Sequence, residues 1–146
     1  MEHITIRQGI PDLETYLGLK RAVGWPVPEP DAAAAALANT RCGFLFQRDD
    51  QTLGMATVHG DGVLYFYIQD VIIHPDIQRQ GYGTRLMDAV ISHINAHARD
   101  KAYVALFSAK GLEPFYARYG FIARPIDKFG AGMFFIKGEK ESEPGA

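Results

Sequence analysis

HPDIQRQGYGTRL, residues 74–86, follows the apolar run DVII and leads into a helical stretch, with Gly81 and Gly83 one residue apart at the junction. A helix start leaves about four backbone N–H groups without intrahelical partners, at the positive end of the helix dipole. Glycines there let an anionic ligand reach the backbone itself. A lone Gly-x-Gly more often only shapes a loop. Here the glycines fall at a helix start, and Gln78, Arg79 and Gln80 supply further donors, so the stretch reads as a phosphate cradle. It is not a Walker loop, because no Gly-Lys-Ser/Thr follows. Nor is it a dinucleotide fingerprint: Leu86 stands at the third glycine position, and seven residues separate the strand from Gly81.

Outward from this stretch, the chain alternates helix and strand signals. Upstream, HITIRQ alternates as a half-buried strand does. PDLETYLGLKRAVG sets Leu13, Tyr16, Leu17 and Val23 on one helical face, with Gly24 as its stop. DAAAAALAN reads as a short helix capped by Asp31. CGFLFQ and TLGMATVHG are strands joined by the turn RDDQ, and VLYFYIQDVII is a strand long enough to need a bend or bulge. Downstream, Leu86, Met87, Val90, Ile91 and Ile94 form a helical stripe. YVALF is continuously apolar, as a parallel strand under helices would be. GLEPFYARYG is a second helix closed by Gly120, and FIAR and GMFFIK are expected to be strands. Antiparallel strands therefore precede one β-α-β crossover.

Composition narrows the partners. The 146 residues suffice for one domain. Fifteen Lys and Arg against 17 Asp and Glu give a net charge of −2, without the basic footprint of a nucleic-acid binder. No apolar run approaches the roughly 18 residues of a membrane span, and MEHITIRQGI lacks the layout of a signal peptide. Cys42 is the only cysteine, which leaves no internal disulfide and no multi-cysteine zinc site. The expectation is a cytoplasmic protein with no metal, nucleic-acid or membrane partner.

Gln78-Arg79-Gln80-Gly81-Tyr82-Gly83 fits Gln/Arg-x-x-Gly-x-Gly/Ala, and FYARYGF fits Tyr-x-x-x-Gly-Phe at Tyr116, Gly120 and Phe121. Together, in this order and with a strand between them, they resemble the acetyl-CoA loop and C-terminal helix of the GNAT superfamily of N-acetyltransferases. The resemblance runs from about Ile4 to Lys137. It implies an α/β fold with a mixed, mostly antiparallel central sheet and about four flanking helices over residues 1–138, with 139–146 a polar tail. It further implies transfer of acetyl from acetyl-CoA directly to a primary amine of a small molecule or peptide. Homodimerisation is common in the family.

The resemblance also assigns residues. Val71, Ile72 and Ile73 would hold the pantetheine arm through their backbone, as an added strand. The pyrophosphate would sit on Gln78, Arg79, Gln80, Gly81, Tyr82, Gly83 and Thr84. Phe115 and Tyr119 would flank the cosubstrate, and Tyr116 would be the general acid at the sulfur; the other reading of Tyr116 is core packing. Two departures concern the base. Ala109 stands where many relatives carry Asn, and Val104 where some carry a catalytic Glu. Asp70 is the first substitute, ahead of Glu113 and a water chain, although a structural carboxylate is an equal reading. Trp25 in GWPVPEP, and Phe129 and Met133 in and beside the loop DKFGAGM, are the candidate acceptor contacts; Trp25 could equally cap the core. His93 and His97 lie four apart without an evident third ligand and are expected on a solvated face. His59 sits beside a turn.

The missing Glu bears on the acceptor. A lysine-type amine, pKa about 10.4, is neutral in roughly one molecule in 2,500 at pH 7, whereas an α-amino group near 7.7 costs only about 1 kcal/mol to present neutral. Low-pKa amines are therefore the expected acceptors. The rivals are a non-catalytic acyl-CoA sensor on the same fold and a nucleotide-binding module.

Overall fold

The structure is a computed structural model that describes residues 3–139. The chain divides into two compact units, at Phe107 and Ser108. The first holds β1 (Ile4–Gln8), α1 (Leu13–Ala22), α2 (Pro30–Ala38), β2 (Cys42–Arg48), β3 (Gln51–Gly60), β4 (Tyr65–Ile73), a 3-10 turn (Pro75–Ile77), α3 (Tyr82–His97) and β5 (Tyr103–Leu106). The second contains α4 (Glu113–Ala117). Among the described residues the five strands form one mixed sheet in the order β1-β2-β3-β4-β5. Its first three pairings are antiparallel, and β4 pairs with β5 in parallel through the α3 crossover. This is the expected α/β fold.

Strand alternation divides the core. Leu45 packs with Leu19, Met55 and Ile72 on the α1 side, and its neighbour Phe46 packs with Leu53 and Ile77 on the other. The α3 stripe emerges as read: Leu86, Met87, Val90 and Ile94 are buried, each worth about 1.5–3 kcal/mol of burial. Helix α1 begins at Asp12, whose Oδ1 accepts the Thr15 N–H at 2.8 Å, and ends before left-handed Gly24. Helix α2 begins earlier than expected. Glu29 is its N-cap and Pro30 opens it, because proline fixes a helical φ and lacks the N–H that would be orphaned there. Asp31 instead accepts the N–H of Ala32, inside the first turn.

Two expectations fail in the C-terminal third. Strand β5 is parallel but is not covered on both faces, and Tyr103 is exposed. Residues 121–124 and 132–137 form no strands; the described chain there has one isolated bridge, Ile126 to Phe129. Apart from half-buried Phe121, their large apolar side chains are open to solvent, Met133 at 88% and Phe135 at 78%. β-branched and aromatic content favours a strand only where a neighbouring ladder satisfies its backbone, and none does so here. The polar tail lies almost wholly outside the described residues.

Candidate functional site

The expected bulge falls at Asp70. Strands β3 and β4 pair Thr57 with Gln69, then Met55 with Ile72, so that Asp70 and Val71 together oppose Ala56. Asp70 sits at φ 54°, which turns its side chain onto the same face as that of Gln69; the two hydrogen-bond at 3.1 Å. On the other edge of β4 the parallel ladder stops at Ile68 and Leu106. Beyond that point the His74 N–H donates to the Leu53 carbonyl at 2.7 Å. Alternation then turns the backbone of Ile72 toward β3, and the backbones of Val71 and Ile73 away from it. Val71 and Ile73, rather than Ile72, present peptide groups at the open edge.

The glycine loop is fixed from both sides. Before it, Ile77 is buried and Gln78 donates its side-chain N–H to the Ile73 carbonyl at 2.8 Å. After it, the Tyr82 ring packs 4.6 Å from that of Phe46. Between these anchors Arg79 (φ 64°) and Gly81 (φ 83°) are left-handed. Gly81 is the N-cap of α3, no side chain caps that helix, and a Cβ on Gly81 would meet nothing within 4 Å. An uncapped helix start facing open space fits an anionic group such as a pyrophosphate. Gly83 and Thr84 lie in the first turn of α3.

A polar cluster fills the space between α1, α2, β3 and β4. Asp70, 6% exposed, accepts from the Tyr16 hydroxyl at 2.8 Å and the Lys20 ammonium at 3.1 Å, as well as from Gln69. The Tyr67 hydroxyl donates to Gln69 Oε1. The Thr57 hydroxyl donates to the Gln69 carbonyl at 2.9 Å, and His59 Nε2 lies 3.0 Å from Thr57 Oγ1. These groups line a cavity of about 420 Å³, completed by Ala36, Leu37 and Thr40. Burial, then the Asp70 charge, drives the Tyr16 and Tyr67 phenols above their ordinary range. Burial also lowers the His59 imidazole, against the opposing pull of Asp70. Both Asp70 oxygens thus accept hydrogen bonds from neighbouring side chains, one at Oδ2 and two at Oδ1.

In the second unit Tyr116 is 7% exposed, and burial raises its phenol pKa. Its ring meets Phe115 and Phe121 edge-on at 5.1 and 6.2 Å, and Phe115 meets Tyr119 at 5.9 Å. Glu113 accepts the Gly111 N–H at 2.9 Å, which ties its carboxylate into its own turn. Phe129 lies under two cations, Arg124 at 5.2 Å and Lys128 at 5.9 Å, while Met133 is solvent-exposed.

Trp25 packs against the Leu19–Leu45–Met55–Ile72 cluster, and Pro26, Val27 and Pro28 line a neighbouring cavity of about 440 Å³. His93 is not on a solvated face. Its Nε2 lies 3.5 Å from Cys42 Sγ and its ring meets Phe44 edge-on, because α3 lays that position over β2. Burial first, then His97, lowers its pKa. Among the described residues no group of three or more His, Cys, Asp or Glu is placed to hold a metal ion.

The sequence reading missed Lys20, Thr57, His59, Tyr67 and Gln69, and it took Tyr16 for an apolar-face residue. A signal existed. Tyr16 and Lys20 are four apart on a helix, and Thr57/His59 and Tyr67/Gln69 are each two apart on strands. What no local reading supplies is the register that sets Thr57 opposite Gln69 and His59 opposite Tyr67.

Residues 23–142 match the family described as Acetyltransferase (GNAT) domain. GCN5-related N-acetyltransferase 1, chloroplastic, of Arabidopsis thaliana is 27% identical over 84% of this chain and 61% of its own length. The chain thus spans about three fifths of that relative, and between 39% and 51% of two other curated relatives. A protein of unknown function from Staphylococcus aureus superposes with a TM-score of 0.82 at 26% identity, covering 92% of this chain and 99% of that one. N-acetylglutamate synthase from Neisseria gonorrhoeae, complexed with coenzyme A and L-arginine, shares the fold at a TM-score of 0.64 and 17% identity, over 84% of this chain and 28% of that one. By the domain match and the folded architecture together, the chain belongs to the GNAT family of acetyltransferases.

Proposed function

We propose that this chain transfers acetyl from acetyl-CoA directly to a primary amine of a small molecule or peptide, as a cytoplasmic enzyme without a metal. The observation that carries this reading is the unfinished edge of β4. Its ladder with β5 stops at Ile68, the next backbone groups turned away from β3 are those of Val71 and the N–H of Ile73, and the uncapped start of α3 follows in the chain. An arm with amide groups can continue the ladder while its pyrophosphate reaches the helix start. The cosubstrate supplies an activated thioester carbonyl. Val71 and Ile73 would hold the pantetheine arm, and residues Gln78 to Thr84 the pyrophosphate. The Val71 N–H would donate to the acyl oxygen as negative charge develops on it. Tyr116 would donate its phenol hydrogen to the departing sulfur, with Phe115 and Tyr119 positioning its ring. Trp25, Phe129 and Met133 are the acceptor contacts in this reading.

The test is twofold. Calorimetry should show acetyl-CoA binding, and a panel of primary amines should release free thiol with acetyl-CoA. Binding without thiol release on any amine would leave the acyl-CoA sensor, and no binding would remove the cosubstrate.

A further inference from the structure

We propose that Nδ1 of His59 is the base that removes the proton from the acceptor ammonium. This rests on the acetyltransfer reading above and names the group which that reading lacks.

Hydrogen bonding determines the tautomer. A threonine hydroxyl has one hydrogen to give, and that of Thr57 goes to the Gln69 carbonyl at 2.9 Å. With that hydrogen on Gln69, His59 Nε2, 3.0 Å from Thr57 Oγ1, pairs with the hydroxyl oxygen by donating. Nε2 carries the hydrogen, and the neutral ring keeps its lone pair on Nδ1. Nδ1 has no hydrogen-bond partner among the described residues, while the ring lines the 420 Å³ cavity. The other candidates are committed. Asp70 accepts from Tyr16, Lys20 and Gln69, and Glu113 from Gly111. The charged or titratable groups around His59 are Tyr16 and Lys20 from α1, Asp70 and Tyr67 from β4, and Arg41, which donates to the Gly60 carbonyl at 2.8 Å. Burial outweighs Asp70 and lowers the imidazole, so the ring is neutral at pH 7.

The step balances. One N–H bond of the acceptor ammonium breaks, its proton forms an N–H bond at Nδ1, and the freed nitrogen lone pair attacks the thioester carbonyl carbon. As the C–N bond forms, the C–S bond breaks with its electron pair on sulfur, and the second nitrogen proton passes to that sulfur as the thiol leaves. The imidazolium then returns its proton to water. A base below pKa 6.5 opposes deprotonation of an α-amino group near 7.7 by at least about 16-fold, and of a lysine-type amine near 10.4 by at least about 8,000-fold. His59 therefore selects low-pKa acceptors.

The experiment compares wild type with His59→Gln on amines of graded pKa and similar shape. For wild type, kcat/KM should fall below about pH 6.5 and should favour the low-pKa amines. His59→Gln should lose 100-fold or more in kcat, keep its KM for acetyl-CoA within about twofold, and lose that acid limb. A variant with wild-type kcat and the same limb would overturn the base while leaving the acetyltransfer reading intact. A wild type that acetylates no amine would overturn both. Long-range 1H–15N correlation on the wild-type histidines is independent of how the variant folds. It should show His59 as the Nε2–H tautomer, and an Nδ1–H tautomer would overturn the proposal.

Discussion

A buried phenol with a raised pKa is a poor acid and a good hydrogen-bond donor, and Tyr116 is such a group. Full proton transfer from an ordinary phenol, pKa about 10, to a thiolate whose thiol has pKa about 8.5 is already uphill by roughly 2 kcal/mol. Burial makes it steeper. Tyr116 is therefore expected to stabilise charge on sulfur by donation, with the proton following late. Tyr116→Phe should lower kcat tenfold or more and leave acetyl-CoA affinity within about twofold, by steady-state kinetics and calorimetry. Unchanged turnover would make the residue only a packing partner of Phe115 and Phe121. At this scale, what the sequence disclosed was what is local. The glycine loop and the tyrosine motif are contiguous, so their spacing alone displays them. The Thr57–His59–Gln69 arrangement is assembled across two strands, and the sequence carries no mark of their register.

Elements were legible where one face decides them. The α3 stripe and the β2–β3 hairpin follow from periodicity and turn residues, whereas the α2 cap and the C-terminal strands depended on partners that no local window contains. Two glycines test element-scale claims. Gly83 lies in the first turn of α3, where valine is tolerated by a helix but crowds the backbone face offered to a pyrophosphate. Gly83→Val should weaken acetyl-CoA binding at least tenfold by calorimetry while the circular dichroism spectrum is kept; equal affinity would remove the loop from the cosubstrate site. Gly60, at the β3–β4 turn, has φ 118°, and a Cβ there would lie 2.0 Å from the Tyr65 carbonyl oxygen. Gly60→Ala should cost about 2–3 kcal/mol in urea denaturation. A loss below about 0.5 kcal/mol would mean that the turn relaxes freely.

Across the whole molecule, proton linkage sets how stability follows pH. His59 and His93 both titrate below 6.5 in the folded chain because they are buried. The unfolded chain binds their protons first, so stability is fully present above 6.5 and declines as pH falls through the folded values. Asp12 and Asp61 are lowered chiefly by backbone N–H donors, from Thr15 and from Tyr65, Val63 and Leu64, and lose their contribution below 3.8. Scanning calorimetry should show Tm level from pH 8 to 7, a first decline below about 6.5 and a second below about 4. A Tm that rises on acidification to pH 5 would contradict the assignment of buried neutral imidazoles. Strand order and crossover were readable at this scale because antiparallel hairpins and one β-α-β unit follow chain order. The division at Phe107 was not, since it depends on which apolar segments find a ladder.

The extra residue in β4 acts like a frameshift in facing. Upstream of it the odd-numbered side chains, Tyr67 and Gln69, look into the cavity beside α1. From Asp70 onward the even-numbered ones face α1: Asp70 lines the cavity and Ile72 packs with Leu19, while Ile73 joins the Phe46 cluster on the far side. One helix thus faces polar groups from both parities of the strand, Tyr67 and Gln69 before the bulge and Asp70 at it, and then the apolar Ile72. Deleting a single residue there would restore one parity throughout, exchanging Ile72 with its neighbours. Length changes can accumulate in the turns at residues 49–50 and 61–64, but through residues 69–73 the site and the core share one reading frame.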